Sequence, residues 1–326
     1  MENKVMEELF EDKTMKNNAV IISSDLALES NYNADMTGLP QQDPWGNFTV
    51  SSHSIKFLQK QYFLGMGEKV FAVKSFKDND EKDKSIKPRT QKERYEKLVG
   101  EEYKIENAIK NVFKFADSKQ YGVVVAIGSS NFAIRGAAQQ TEGYNLYPGT
   151  SIIEKRNISP YQNSKKEDSL QTSLGCRNLL DIARFAHSTC VYPEAYRSYV
   201  DDLKCTEGYT EEDLELLCRA HRYGPSFYKS SAKGNINNEL TIVIKTKENV
   251  AVDPMHRKMK FIPEKAGAIF GTYVLDLSDE FKADEIESIE VYYDNKTCDI
   301  DLTLPKDYEG KVEYRHVKTG REINRD

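Results

Sequence analysis

Hydrophobic positions along this chain fall into short β-branched runs separated by amphipathic stretches, and together they predict an α+β fold. Asn18–Ser30, with Val20, Ile21 and Ile22 at its centre, reads as a strand. The next segment, Asn31–Phe48 (NYNADMTGLPQQDPWGNF), is dense in turn formers. Ser51 or Ser52 then caps a helix whose apolar positions are Ile55, Phe57, Leu58, Tyr62 and Phe63. Lys74–Arg94 is a charged, apolar-poor insertion, and Tyr95–Phe115 reads as one longer helix. Val123–Ile127 has the composition of a buried strand, followed by a turn at Gly128–Ser130 and extended chain over Ile134–Gln140. Residues 141–191 carry almost no continuous apolar run and read as an irregular polar excursion. Pro193–Asp202 is helical in pattern, and Thr210 with Asp213 three residues on opens a further helix. Leu240–Lys245 is a strand, and Ala268–Leu277, Ile289–Tyr293 and Ile300–Leu304 add strand candidates.

That order matches a ferredoxin-like βαββαβ core carrying insertions. Two separate α+β domains are the alternative, but no Pro/Gly/Ser-rich linker divides the chain.

Composition narrows the function classes. The 326 residues are 39% hydrophobic and 30% charged, with 46 basic against 52 acidic side chains and a net charge of −6. No global basic field advertises nucleic acid, yet Lys82–Arg94, Lys155–Lys166 and Met255–Lys265 are locally basic. No run is long and apolar enough to span a bilayer, and Met1–Lys13 has no signal-peptide core, so a cytoplasmic protein is expected. The five cysteines follow no CxxC spacing and read as reduced structural thiols; His187 and Cys190 hint only faintly at a metal pair.

Nothing assembles into a P-loop, nucleophile elbow, HExxH or Rossmann fingerprint, so no catalytic residue, metal or cofactor is expected. Asp25, Asp35 and Asp43 are loop or strand-end acids that more often stabilise turns than cleave phosphodiesters. Signals for polymer binding are weak one by one but mutually consistent. Lys56 and Lys60 lie four apart, on one helical face where point charges can meet phosphates. Arg135 precedes Gly136, where backbone approach to a ligand is easy. Lys155–Arg184 mixes cations with Tyr161, Gln162, Gln171 and Asn178, a composition suited to a hairpin that clamps single strands and wedges Leu170 or Leu174 between bases. Lys229 and Lys233 precede the Leu240 strand.

Five blocks, in this order, resemble the CRISPR-associated backbone subunit of type I Cascade complexes, the Cas seven family of the RAMP superfamily, and its Csh/Csd-type members most. Val20–Pro44 holds a strand and an eroded Asn-Pro-Asn-Gly-Asp-Pro-like loop, here Asn31-Tyr32-Asn33-Ala34-Asp35-Met36 with Asp43-Pro44 after it. Thr49–Phe63 matches a Val-Thr-Asp…Leu-Lys-Arg helix, with Lys56 and Lys60 on its basic positions. Tyr121–Tyr144 resembles an Ile-Arg-Gly-Pro-Val-Gln pattern, keeping Arg135, Gly136 and Gln139 but placing Ala137 where proline is usual. Tyr192–Leu217 contains Gly208-Tyr209-Thr210-Glu211-Glu212-Asp213-Leu214, the most specific match, and Tyr228–Val243 resembles a Thr-Arg-Ser-Lys-Gly segment.

The resemblance implies a modified RNA-recognition-motif palm over residues 18–250, interrupted by fingers at 65–115 and a thumb at 155–191, with 251–326 as a C-terminal extension. It implies a non-enzymatic subunit that polymerises along CRISPR RNA beside other Cascade subunits, probing target DNA through guide pairing. RNA contacts are expected from Lys56, Lys60, Arg135, Gln139, Lys165, Lys166, Arg177 and Lys233. A type III-like homologue cutting target RNA through Asp35 and a metal is the enzymatic alternative. A protein-interaction module without nucleic acid is the third, favoured by the acidic total alone.

Overall fold

The computed structural model describes residues 10–77, 86–128, 130–162 and 172–325. In chain order its strands and helices are β1 (Asn17–Ser30), β2 (Thr49–Val50), α1 (Ser52–Gly65), α2 (Gln91–Val99), α3 (Ile105–Val112), α4 (Ala116–Tyr121), β3 (Gly122–Ile127) and β4 (Ser130–Arg135). Then come β5 (Ala138–Gln140), β6 (Gly143–Asn145), β7 (Ile152–Gln162), β8 (Thr172–Val191), α5 (Arg197–Asp201), α6 (Glu211–Phe227) and β9 (Ile236–Glu248). β10 (Lys260–Pro263), β11 (Gly271–Asp276), β12 (Ile286–Tyr293), β13 (Cys298–Thr303) and β14 (Val312–His316) complete the series.

The main sheet has the order β14-β12-β9-β1-β8-β6-β2, with β5 and β7 also paired to β8. β1 is antiparallel to both neighbours, setting Ile21 opposite Thr189 on one side and Val243 on the other. Its side chains alternate between two cores. Ala19 and Ile21 pack with Leu214, Leu217 and Cys218 of α6 and with Phe71, Tyr95 and Phe115. Val20 and Ile22 pack with Met255, Met259, Phe261, Tyr273 and Leu275. Helices therefore cover one face of the sheet and the C-terminal segment covers the other.

Helix α1 forms where Ser51 caps it: the Ser51 hydroxyl accepts from the Ser54 amide, and Ile55, Leu58, Gln59, Tyr62 and Phe63 are buried at helical spacing. On α6, Thr210 and Asp213 make a full capping box. Gly224 of α6 faces the Leu58–Gln59 backbone of α1, so the two helices cross where a side chain would crowd.

Two expectations are corrected. The single helix over Tyr95–Phe115 is two, because Gly100 takes a left-handed φ of 86° that ends α2. The excursion over 141–191 is largely β structure: β7 and β8 form a long antiparallel ladder, and Leu179–Val191 is a buried central strand rather than irregular chain. The C-terminal segment both extends the sheet, through β12 and β14, and caps it with a separate three-stranded sheet, β10-β11-β13.

Polar side chains bolt the covering layers to the sheet. The buried Arg184 guanidinium on β8 pairs with Glu239 of β9, donates to the Ile269 carbonyl and stacks 3.8 Å above the Phe261 ring. The Tyr273 hydroxyl donates to Glu239 and shares a hydrogen bond with the Ser24 hydroxyl (2.8 Å). On the helical face, His221 of α6 bridges Ser23 and Thr189, each at 3.0 Å. His256 docks on Ser188 through its amide (3.0 Å) and its Nδ1 (3.2 Å).

Two outcomes are expected from this packing. Gly136 leaves no room for a methyl group: a Cβ there would lie 2.5 Å from the Gln120 carbonyl oxygen and closer still to Tyr121 and Gly122 backbone. Gly136→Ala should therefore cost about 3 kcal/mol or more in a urea titration. Burial holds the His221 imidazole below its ordinary range and pushes His256 down to about 4, with the charges of His187 and Arg257 adding to the effect at His256. Well above pH 6.5 both histidines are neutral folded or unfolded and contribute almost nothing. As pH falls toward 4, the unfolded chain takes up protons that the folded chain refuses, so stability drops. At pH 5 the His256 share is about 2 kcal/mol, and His256→Gln should lose that much less than the parent between pH 7 and pH 5. Parallel losses would show that His256 is not the sensor.

Candidate nucleic-acid interface

The two lysines of α1, alike in spacing, have different surroundings. Lys60 Nζ donates to the Ala72 carbonyl (3.2 Å) and lies 3.7 Å from Asp117. Asp117, only 2% exposed, also accepts from the amides of Phe71 (2.7 Å) and Ala72 (2.8 Å). Lys60 thus helps hold the chain after α1 in place. Lys56 is half-buried, with its ammonium 5.2 Å from the Tyr121 ring centroid. Among the described residues no carboxylate lies within 4 Å of it, and burial, then the neighbouring Lys60 charge, lowers its pKa. Its partial desolvation has no counter-charge to offset it.

Around Gly136 the structure changes the meaning of the local sequence. The close backbone approach that requires a glycine is to Gly122 and Tyr121, not to a ligand. Gln139 donates to the Gly136 carbonyl (2.7 Å) and braces that turn. Arg135, at the end of β4, is exposed and forms no ion pair among the described residues.

Arg177 and Lys233 come together. Arg177 lies on β8 opposite Lys155 and donates to the Ser231 carbonyl (3.1 Å). Lys233 donates to the carbonyls of Tyr32 and Asn31 and sits 5.7 Å from the Tyr32 ring centroid; burial pushes its pKa down to about 8. Lys165, Lys166 and Leu170 lie outside the described residues.

The sequence marked the loop that links these groups, but not the asparagine bonds that do the linking. Asn33 Oδ1 accepts from both the amide (2.9 Å) and hydroxyl (3.0 Å) of Ser51, tying the 31–48 loop to the start of α1. Asn31 donates to the Asn178 carbonyl (3.1 Å), tying its other foot to β8. The signals in the sequence were the turn formers and asparagines of that loop. Asp35 and Asp43 are both turn residues. Asp35 Oδ1 accepts from the Thr37 amide and hydroxyl, each at 2.7 Å, and from the Leu39 amide (3.1 Å). Those bonds, the Thr37 hydroxyl first, lower its pKa.

No group of three His, Cys, Asp or Glu side chains among the described residues is arranged to hold a metal. His187 is engaged by Gln140 and Asp25. Four cysteines are buried, Cys176 is exposed, and none is in a disulfide. An open groove of about 580 Å³ between α6, β9 and β12 mixes Arg219, Arg222 and Lys245 with Glu211, Glu215 and Glu290, and none of the candidates lines it. No helix among the described residues is long and apolar enough to cross a membrane.

The sequence profile described as "CRISPR-associated protein Cas7" matches residues 19–289. The chain belongs to that family. The match runs from β1 into β12, so it takes in α1 to α6 and every described candidate residue. A search of curated proteins finds no match. Among solved structures, a chain of a "CRISPR RNA-guided surveillance complex, pre-nicking" is 13% identical with a TM-score of 0.46, over 72% of this chain and 80% of that one. A chain of a "CRISPR RNA-guided surveillance complex" is 14% identical with a TM-score of 0.43, over 72% of each.

The two α1 lysines should separate in a stability measurement. Lys60→Ala removes a carbonyl bond and an ion pair to a buried carboxylate and should cost about 1 kcal/mol. Lys56→Ala should stay within about 0.5 kcal/mol of the parent, since nothing in the fold depends on its charge. Equal losses in urea titrations would contradict the division.

Proposed function

We propose that this family member is a CRISPR RNA-binding backbone subunit. Several copies line up along one guide in a type I, I-B-like surveillance complex, and the guide's bases are left to pair with target DNA. The subunit carries no catalytic step of its own. The observation that carries the reading is Lys56: a lysine that has lost water without gaining a carboxylate is poised for an anion, and a phosphate of a passing strand supplies one.

The fold supports a modified RNA-recognition-motif palm. Reading β9-β1-β8 and then the β5, β6 and β7 segments gives the 4-1-3-2 strand order of a βαββαβ core, with α1 and α6 as its two helices. The departure lies in the sheet face opposite the helices. In an RNA-recognition motif that face stacks bases; here Met255, Phe261, Tyr273 and Leu275 occupy it. RNA is therefore carried at the margins, past Lys56 and Arg135 and along the hairpin of β7 and β8 that forms the thumb. Arg177, Lys233 and Gln139 brace that route through the backbone carbonyls they hold.

Coexpression with partner Cascade subunits and a CRISPR array should yield a multi-copy particle holding RNA of one guide length. A clean, RNA-free monomer would overturn the reading. In titrations with single-stranded RNA, Lys56→Ala and Arg135→Ala should each reduce the slope of log affinity against log salt by about 0.7, one phosphate contact each. Their effect should be the same on unrelated RNA sequences.

A further inference from the structure

The 31–48 loop contains a repeat that neither its sequence nor the proposed function accounts for. Asp35 to Leu39 and Asp43 to Asn47 make the same set of bonds eight residues apart. In the first, the Asp35 amide donates to the Leu39 carbonyl (2.8 Å), Gly38 donates to the Asp35 carbonyl (3.2 Å), and the Asp35 carboxylate accepts from the Thr37 and Leu39 amides. In the second, Asp43 donates to Asn47 (2.9 Å), Gly46 donates to Asp43 (3.0 Å), and the Asp43 carboxylate accepts from the Trp45 and Asn47 amides. Both close on a glycine with φ near +85°, Gly38 at 84° and Gly46 at 85°. Isolated bridges, Ala34 with Pro40 and Gln42 with Phe48, complete two tight hairpins in tandem.

Each hairpin holds a large apolar side chain almost wholly in water, and Leu39 of the first is also partly exposed. Met36 is fully exposed and Trp45 is 84% exposed. Side chains of this size are normally turned inward, and among the described residues these two are left largely in water. In the chain the polar Gln41 and Gln42 lie between them. Isolated rings and thioethers on stiff supports suit bases, which stack one at a time or are parted by an apolar wedge. The loop also lies between the proposed RNA-binding elements, tied to α1 through Asn33 and Ser51 and to β8 through Asn31 and Asn178. Arg257 lies near enough to Asp43 to help hold its carboxyl ionised and stacks 5.3 Å over Tyr144.

We propose that Met36 and Trp45 are base-contacting residues, Trp45 stacking on one unpaired base of a bound single strand and Met36 wedging at another. This deepens the RNA-binding reading and rests on it.

Trp45 is the sole tryptophan of the chain, so its fluorescence reports on this loop directly. Titration with oligouridylate should quench it, while an abasic strand of equal length, which keeps the phosphates, should not. Trp45→Ala should weaken oligouridylate binding about ten- to a hundredfold, the range of one lost stack, with the salt slope unchanged because no charge is removed. Trp45→Phe should recover most of the loss. RNA binding by the parent without quenching, or with Trp45→Ala binding equally well, would overturn the inference and leave the function intact. A Trp45→Ala variant that instead changes the mass of the assembled particle at full RNA affinity would overturn it in favour of a protein contact. No RNA binding by the parent at all would remove the function reading, and this inference with it.

Discussion

Over residues 19–27 strand β1 has no side facing water, and the fold is arranged around that constraint. Its apolar first half, Ala19–Ile22, satisfies two cores by simple alternation. Its middle does not: Ser23, Ser24 and Asp25 are buried polar residues in consecutive positions, and each needs hydrogen-bond partners brought from elsewhere. Ser23 finds His221 on α6, Ser24 finds Tyr273 in the covering sheet, and Asp25 finds Tyr32, His187 and Asn238. These bonds select one arrangement of helical layer, sheet and C-terminal layer, because sliding any of them strands a buried polar atom.

The same feature decides what was legible in the sequence. β1, α1, α6 and β9 could be read because their periodicity and caps are local. β8 could not. Its buried stretch includes Arg184, His187, Ser188 and Thr189, which a window average scores as polar surface. Their partners, Glu239, Asp25, His256 and His221, lie far along the chain, so burial there is a tertiary fact with no local trace. The break at Gly100 was visible as a glycine inside a helical pattern, but a left-handed residue and a tolerated interior glycine look alike until the next helix is placed.

At the candidate site, sequence could locate cations but not their roles. Lys60 and Lys233 bind backbone carbonyls, acceptors that every segment possesses and no residue type signals. Among the described residues Lys56, four residues from Lys60, meets the face of Tyr121 and no carboxylate. Gly136 shows the same limit: a glycine marks close approach, but not whether a ligand or the chain's own backbone approaches. The chain's acidic total fits this division, since several of its cations serve the fold, and a binding path needs only the few left without a counter-charge.

Covering the sheet face has a consequence for how a strand of RNA is held under the proposed function. An open RNA-recognition sheet reads bases by laying them flat on aromatic residues, which conceals the faces and crowds the edges. With that face filled by Phe261 and Tyr273, contacts along the margin fall mainly on phosphates, and base edges stay accessible for pairing. A guide that must be read by another strand needs a support that does not read it first. Occasional stacking on a rigid outlying ring is compatible with that need, since it removes single bases from the path and leaves the rest exposed.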